Sequence, residues 1–150
     1  MNLRKWVFFF FITSVMFSAC EPDEVKHKDI PDVSNVSIDV ELKRFEQALF
    51  SLDTTNFEQS LEALEGEYGE FSELYFGQIL GSKDLRIAME GHEGYVKGFI
   101  SHPSVRKLYD TTQIIYPNLD WLAEDFERSF RFYKYYFPNE PLSGEVVTFI

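Results

Sequence analysis

The sequence predicts an α+β fold that is mainly helical, with a small sheet, following an N-terminal signal peptide. Apolar and polar residues alternate from Val36 to Leu42, the period of a half-buried strand. A second run rich in β-branched residues, Glu145 to Ile150, predicts another strand. Between the two, apolar residues recur at steps of three and four, as in helices that bury one face. We expect the two strands to be neighbours in the sheet.

The helical pattern is strongest from Asn118 to Phe137. Acidic residues come early and basic residues late in this segment, as the helix dipole favours, and Asn118 is a suitable N-cap. Pro138 follows the segment and ends it. The apolar residues at steps of three and four are Leu119, Leu122, Phe126, Phe130, Tyr133 and Phe137.

Shorter helices are predicted upstream. A first one runs from Leu42 to about Ser51, and a second begins at a capping box formed by Thr55 and Glu58. The second helix is expected to end at Gly69, with further turns following between there and Gly81. Its apolar face carries Phe57, Leu61, Leu64 and Tyr68, and the further turns carry Phe71, Leu74, Tyr75 and Ile79.

Glycine and proline set the expectations for the middle of the chain. A short helix around Leu85 to Met89, capped by Ser82 or Asp84, is followed by three glycines that should interrupt helical structure. Pro103 is typical of a first helical turn, and the helix it opens is predicted to reach Ile115. The three glycines are Gly91, Gly94 and Gly98.

The first twenty residues indicate an exported lipoprotein. Arg4 and Lys5 precede a Phe-rich apolar run, and two small residues stand directly before Cys20, as in a lipobox. The 14 residues from Trp6 to Ala19 are too few to cross the hydrocarbon layer, which takes about 20 in a helix. We therefore predict a signal peptide over 1–19 and lipidation of Cys20. A short membrane anchor or a buried cysteine is the alternative.

The rest of the chain divides into a tether and a domain. Residues 20–35 are polar and contain two prolines, which predicts an extended tether. Residues 36–150 are expected to form one mainly helical globular domain. Because the chain stops within a strand-like run, we expect this domain to be the N-terminal part of a longer one.

Charge and cysteine content exclude two kinds of chemistry. Without residues 1–19 the chain has 12 basic and 25 acidic residues, a formal charge of −13. Such a surface repels phosphate backbones, so nucleic acid is not expected as a partner. No cysteine follows Cys20, so the fold must hold by packing rather than by disulfides.

No residue is predicted to be catalytic, metal-binding or cofactor-binding. A zinc site of the His-Glu-x-x-His type would need a histidine at 96, where the chain has Val96, and glycines around His92 argue against a helix there. His92 is interpreted as a solvated loop residue, His102 as flanking a helix start, and His27 as part of the tether. The acidic series from Glu58 to Glu73 is interpreted as a solvated helix face.

The stretch Arg131 to Asn139 is unusually aromatic. Aromatic side chains on all sides of a helix end are either buried on two faces or exposed as a patch for a partner. The sequence reading favours burial, with a cover from residues beyond Ile150 as one way to achieve it.

The order of these motifs resembles the GldB family of gliding motility lipoproteins from the Bacteroidota. The likeness spans the whole chain and rests on the lipobox, the strand from Val36 to Leu42 running into the segment 43–50, Tyr68-Gly69-Glu70-Phe71, and Tyr135-Tyr136-Phe137-Pro138-Asn139 before the final strand. Of these positions, only Cys20 carries over as a functional residue.

The resemblance implies a non-enzymatic envelope lipoprotein that is required for gliding and linked to type IX secretion. Its expected partners are a membrane, through the lipid on Cys20, and other proteins of the gliding or secretion machinery. Its expected location is the cell envelope, with the outer membrane favoured. The alternative is a zinc-peptidase-like envelope hydrolase, because the family fold is similar to that of some zinc peptidases; the active site would then lie beyond Ile150.

Overall fold

The fold is seen in a computed structural model that describes residues 30–84 and 86–150. The predicted signal peptide, Cys20 and His27 lie outside these residues. Among the described residues, the compact unit Val33–Ile150 carries the regular structure, and the predicted mainly helical α+β class is confirmed. In chain order its elements are β1 (Glu41–Arg44), α1 (Phe45–Phe50), α2 (Phe57–Leu74), a π-helical turn (Tyr75–Ile79), α3 (Gly91–Ser101), α4 (Pro103–Ile115), α5 (Asp120–Tyr136) and β2 (Glu145–Thr148).

Strands β1 and β2 pair in parallel, with Glu41 opposite Glu145 and Arg44 opposite Thr148. The two predicted strands are thus neighbours, as expected. The first begins later than predicted, because only its last residues face β2 and the alternating segment before them joins no ladder. The start of the pairing is fixed by the Glu41 amide, which donates to the Gly144 carbonyl at 3.1 Å.

The core is centred on Phe45, the first residue of α1. Its ring is fully buried and contacts four aromatic rings at centroid distances of 4.7 to 5.9 Å. Burying a Phe side chain of this size is worth about 1.5–3 kcal/mol, and edge-to-face pairs add to it. The four rings belong to α2 and the π-helical turn: Tyr68, Phe71, Tyr75 and Phe76.

Buried Glu46 ties α1 to the sheet. It accepts from the Arg44 guanidinium at 2.7 Å and from the Thr148 hydroxyl at 2.8 Å. A buried carboxylate is tolerated when it is paired in this way. The same guanidinium donates to the Gln113 side chain at 3.2 Å, so α4 is held to the same group of residues.

Helix α2 starts and kinks differently from the prediction. The Thr55–Glu58 capping box is wrong, because the Thr55 hydroxyl donates to Asp53 at 2.7 Å and the helix begins at Phe57 without a side-chain cap. Gly69 interrupts the helix, as its φ of 46° requires a residue without a Cβ, but the helix then resumes. The Ser72 hydroxyl donates to the Gly69 carbonyl at 2.6 Å and secures the kink.

The glycines of α3 do not interrupt it, so that prediction is wrong. Val96 and Ile100 lie on one face of this helix and are almost fully buried in the core. Tertiary burial of this kind outweighs the roughly 1 kcal/mol that a helical glycine costs relative to alanine. The helix predicted around Leu85 to Met89 is also wrong, since the described residues there form turns, with the Asp84 carboxylate accepting from the Arg86 amide.

The last two helices agree with the sequence except at the N-cap of α5. Pro103 opens α4, and the His102 side chain accepts from the Ser104 amide, so His102 does flank a helix start. Helix α5 follows the predicted segment, although its N-cap position is Leu119 rather than Asn118.

Candidate functional site

Helix α5 presents an apolar stripe whose side chains are half-buried or exposed within residues 30–84 and 86–150, the exposed ones being Tyr133 and Phe137. We call this set of residues the α5 stripe: Leu119, Leu122, Phe126, Phe130, Tyr133 and Phe137. No α5 residue is buried, and none packs against the core cluster. Its ring contacts are between its own members: the ring centroids of Phe126 and Phe130 are 5.5 Å apart, and those of Tyr133 and Phe137 are 5.2 Å apart. The exposed end of the helix, from Tyr133 to Phe137, offers apolar surface for contact with a partner.

The aromatic end of α5 is exposed rather than buried. Tyr135 and Tyr136 contact each other at 5.1 Å and are about half exposed, as is Phe137. The sequence reading favoured burial on two faces, and within the described residues the opposite arrangement holds. Aromatic residues exposed together are typical of binding surfaces, where their area is gained at a low entropic cost.

Charged side chains flank the α5 stripe and are already paired along the helix. Asp125 pairs with Arg128 at 3.0 Å, and Glu127 pairs with Arg131 one turn later. Lys134 donates to the Glu140 carbonyl at 2.9 Å. Exposed pairs of this kind contribute little to stability, about 0.3–0.5 kcal/mol each. The acidic residues lie in the first half of the helix and the basic residues in the second half.

A second candidate is a polar cluster between α2, the loop before α3, and α3 itself. His92 lies in the first turn of α3, with Nδ1 3.0 Å from the Ser82 hydroxyl and Nε2 3.2 Å from Glu65. Lys83 bridges Glu65 and Glu73, each at 2.8 Å. Desolvation lowers the pKa of Lys83, but the bonds to these two carboxylates outweigh it, so the pKa is raised.

Serine, histidine and glutamate in contact suggest a catalytic triad, but the burial of Ser82 speaks against it. The Ser82 side chain is completely buried, and its hydroxyl donates to the Phe76 carbonyl at 3.2 Å. A nucleophile has to reach its substrate, and this one is committed to closing the end of the π-helical turn. The cluster is a structural junction.

The sequence missed this cluster and misplaced two of its members. His92 is helical and mostly buried rather than a solvated loop residue, and Glu65 leaves the predicted solvated face to pair with Lys83, whereas Glu73 stays exposed. The residues are up to 27 positions apart and share no motif, so only the approach of α3 to α2 reveals the site. Gly91, at φ 77°, sets the turn that delivers His92.

A third feature is a shallow apolar groove of about 470 Å³ beside α3. Exposed Ile87 and Met89 form one wall, and Phe99 and Val105 form the other. Gly94 and Gly98 form its floor. Its polar lining side chains are those of Glu90, Tyr95 and His102, and their chemistry points to no particular ligand.

A metal-ligand cluster and a membrane-spanning helix are both absent from the described residues. No group of three or more His, Cys, Asp or Glu side chains within residues 30–84 and 86–150 is placed to hold a metal ion. None of the helices in the same ranges is long and apolar enough to span a bilayer.

A family model described as gliding motility protein GldB matches residues 26–150. This match covers most of the chain. The chain belongs to the GldB family. The resemblance seen in the sequence is thereby confirmed, and with it an assignment to a lipoprotein-type family of gliding motility.

No curated protein and no solved structure matches this GldB chain. The arrangement of α5 and of the Glu65–His92 cluster is therefore described from this chain alone. Among the three candidates, α5 and its C-terminal end expose the largest group of aromatic side chains: Trp121, Tyr133, Tyr135, Tyr136 and Phe137.

Proposed function

We propose that this GldB chain is a lipid-anchored component of the gliding apparatus that acts through protein contacts and not as an enzyme. Membership of the GldB family supports the link to gliding. The aromatic side chains exposed at the end of α5, from Tyr133 to Phe137, are the observation that supports contacts as the mode of action, since soluble proteins seldom leave such a surface without a partner.

Anchoring is assigned to Cys20. After removal of residues 1–19, acyl chains on Cys20 hold the protein to a membrane of the cell envelope, with the outer membrane favoured. The tether 20–35 separates the domain from the lipid, so that α5 is free to meet other envelope proteins. The partners are proteins of the gliding or type IX secretion machinery.

The zinc-peptidase-like alternative has no supporting observation within residues 30–84 and 86–150. It stays an expectation about residues beyond Ile150.

The anchor is tested by lipid labelling. Cells producing Cys20→Ala should incorporate no labelled palmitate into the protein, whereas cells producing Ser18→Thr should label normally. Equal labelling of Cys20→Ala and the native protein would refute the anchor.

The role of the stripe is tested in a deletion strain that carries a plasmid-borne copy. We expect the deletion to stop spreading on agar and cell tracking to show no gliding. The double variant Phe126→Ser with Tyr133→Ser should accumulate normally and fail to restore gliding, because it removes the centre of the stripe. The control, Glu124→Ser with Arg128→Ser on the polar face, should restore it. Normal gliding by the deletion strain would refute the role in gliding. Normal gliding by the stripe variant would refute the role of the α5 stripe in protein contacts.

A further inference from the structure

We propose that the contact between His92 and Glu65 is a proton-dependent switch, which holds the first turn of α3 against α2 while the imidazole is protonated and weakens when the proton is lost. The switch lies in the polar junction described above and does not depend on the proposed function. It makes the attachment of α3 sensitive to pH.

When His92 is neutral, the junction has more contacts than protons to fill them. The Ser82 hydroxyl lies 3.2 Å from the Phe76 carbonyl and 3.0 Å from Nδ1 of His92. The other ring nitrogen, Nε2, lies 3.2 Å from Glu65. A serine hydroxyl has one proton and a neutral imidazole has one, which leaves two protons for three contacts. The imidazolium form supplies the third.

Each neutral tautomer of His92 loses one of these contacts. With the proton on Nδ1, the lone pair of Nε2 faces the Glu65 carboxylate, and the two repel each other. With the proton on Nε2, the Ser82 hydroxyl has to turn towards Nδ1, and the Phe76 carbonyl loses that donor. The Lys83 amide, 3.4 Å from the same carbonyl, is a weaker replacement.

Water does not replace the lost contact, because the atoms involved are buried. Ser82 is completely buried, and Nε2 of His92 and Oε1 of Glu65 are shielded from solvent. Neither of these two atoms completes a well-aligned hydrogen bond within the described residues, so their attraction depends on opposite charge. The uncharged ring of Phe76 lies edge-on to the imidazole at 5.0 Å.

The charged groups around His92 place the third proton on the imidazole. Among the described residues, Glu65 is the carboxylate in contact with a ring nitrogen of His92, and Lys83 binds both Glu65 and Glu73 at 2.8 Å. Lys83 favours the ionised form of Glu65, so the proton goes to the imidazole and not to the carboxylate. On α3 itself the adjacent acidic residue is Glu93. Lys83 and the N-terminal end of α3 oppose a cation at His92, and the direct contact with Glu65 offsets them.

The switch is tested by thermal unfolding of the full-length lipidated protein in detergent micelles, followed by circular dichroism at pH 5.5 and at pH 8. Histidine in an unfolded chain releases its proton near pH 6.5, so a contribution that needs the imidazolium is complete below that pH and is lost as the pH rises. The Tm advantage of the native protein over His92→Gln should be greater at pH 5.5 than at pH 8, by about 3 °C or more.

His102 provides the matched control. Its Nδ1 accepts from the Ser104 amide, so this contact needs no proton on that atom. The Tm advantage of the native protein over His102→Gln should not increase at pH 5.5.

Glu65→Gln tests the proton count by a second route. Its amide can donate to Nε2 of a neutral imidazole, so the three contacts form without the extra proton. The Tm advantage of the native protein over Glu65→Gln should also be greater at pH 5.5 than at pH 8. Should His92→Gln fail to fold, this comparison decides.

A Tm difference between the native protein and these two variants that is equal at pH 5.5 and pH 8 would overturn the switch, because His92 would then act by packing alone. A difference that grows at pH 8 would overturn it as well.

Discussion

Phe45 and the α5 stripe are built from the same kind of residue and end in opposite surroundings. Phe45 belongs to a helix of six residues and is fully buried among four rings. Helix α5 has 17 residues and a longer aromatic stripe, yet none of its side chains is buried. Amphipathic periodicity shows that a helix has a face to bury. Whether that face meets the protein's own core depends on the elements that the fold brings to it.

Truncating one ring in each region should give the largest difference. Phe45→Ala should lower the free energy of unfolding by about 3–5 kcal/mol, because it leaves a cavity at the centre of the core. Phe126→Ala should cost less than about 1 kcal/mol, as expected for a side chain outside the core. Urea unfolding of both variants measures this. Similar losses would mean that α5 is packed as tightly as the core.

Stability should be nearly as sensitive to substitution of Gly144, the residue before β2, because the backbone of Asp39 lies directly against it. Gly144 has a φ of 72°, and a Cβ there would lie 2.3 Å from the Asp39 carbonyl oxygen. Gly144→Ala should therefore cost about 2–4 kcal/mol through strain and overlap.

Gly66 is the matched control for Gly144. It lies within α2, and a Cβ there would meet nothing within 4 Å. Gly66→Ala should raise the free energy of unfolding by about 0.5–1 kcal/mol, because alanine restricts the unfolded chain and favours a helix. Thermal unfolding followed by circular dichroism distinguishes the two. A harmless Gly144→Ala would show that the β1 and β2 junction is open to adjustment.

Substitution of two serines compares the cluster around His92 with the exposed surface of α5. Ser82→Ala should cost about 1–2 kcal/mol, since half-buried His92 loses the partner of its Nδ1 atom. The Ser129 hydroxyl donates to the Asp125 carbonyl on exposed α5, and Ser129→Ala should change stability by no more than about 0.5 kcal/mol. Chemical unfolding checks both, and equal effects would contradict the structural role assigned to the Ser82 cluster.

Tyr75 should make the core sensitive to alkali. Burial raises the pKa of Tyr75 to about 12, above the value of about 10 in an unfolded chain. Its neutral form is favoured by folding, so its contribution is complete below pH 10 and is lost as the pH rises towards 12. The ionised ring also cannot donate to the Ile150 carbonyl, which the hydroxyl does at 3.1 Å.

The comparison that isolates Tyr75 is with Tyr75→Phe. Unfolding measured at pH 9 and at pH 11.5 should show a larger loss for the native chain, because groups other than Tyr75 titrate equally in both. An equal loss would mean that the Tyr75 ring is reached by solvent.

Much of the fold was predictable because it depends on local pattern. Periodicity predicts α4 (Pro103–Ile115) and α5 (Asp120–Tyr136), and Pro103 marks the first turn of α4. The pairing of the two strands was also predicted. The candidate site was only half predictable: the aromatic stretch was singled out, but its exposure was not expected. The cluster of Glu65, Ser82 and His92 left no signal at all.

The sequence by itself determined the family, the amphipathic character of α5 and the residues that border its stripe, since these depend on residue identity and spacing along one element. Tertiary structure decided which aromatic faces are buried, why the glycines of α3 are helical, and where His92 lies. Burial is a property of what surrounds a residue in space, and contacts between segments 20 or more residues apart are not encoded in any local period. That is why the rings around Phe45 form a core while the equally regular rings of α5 are half-buried or exposed.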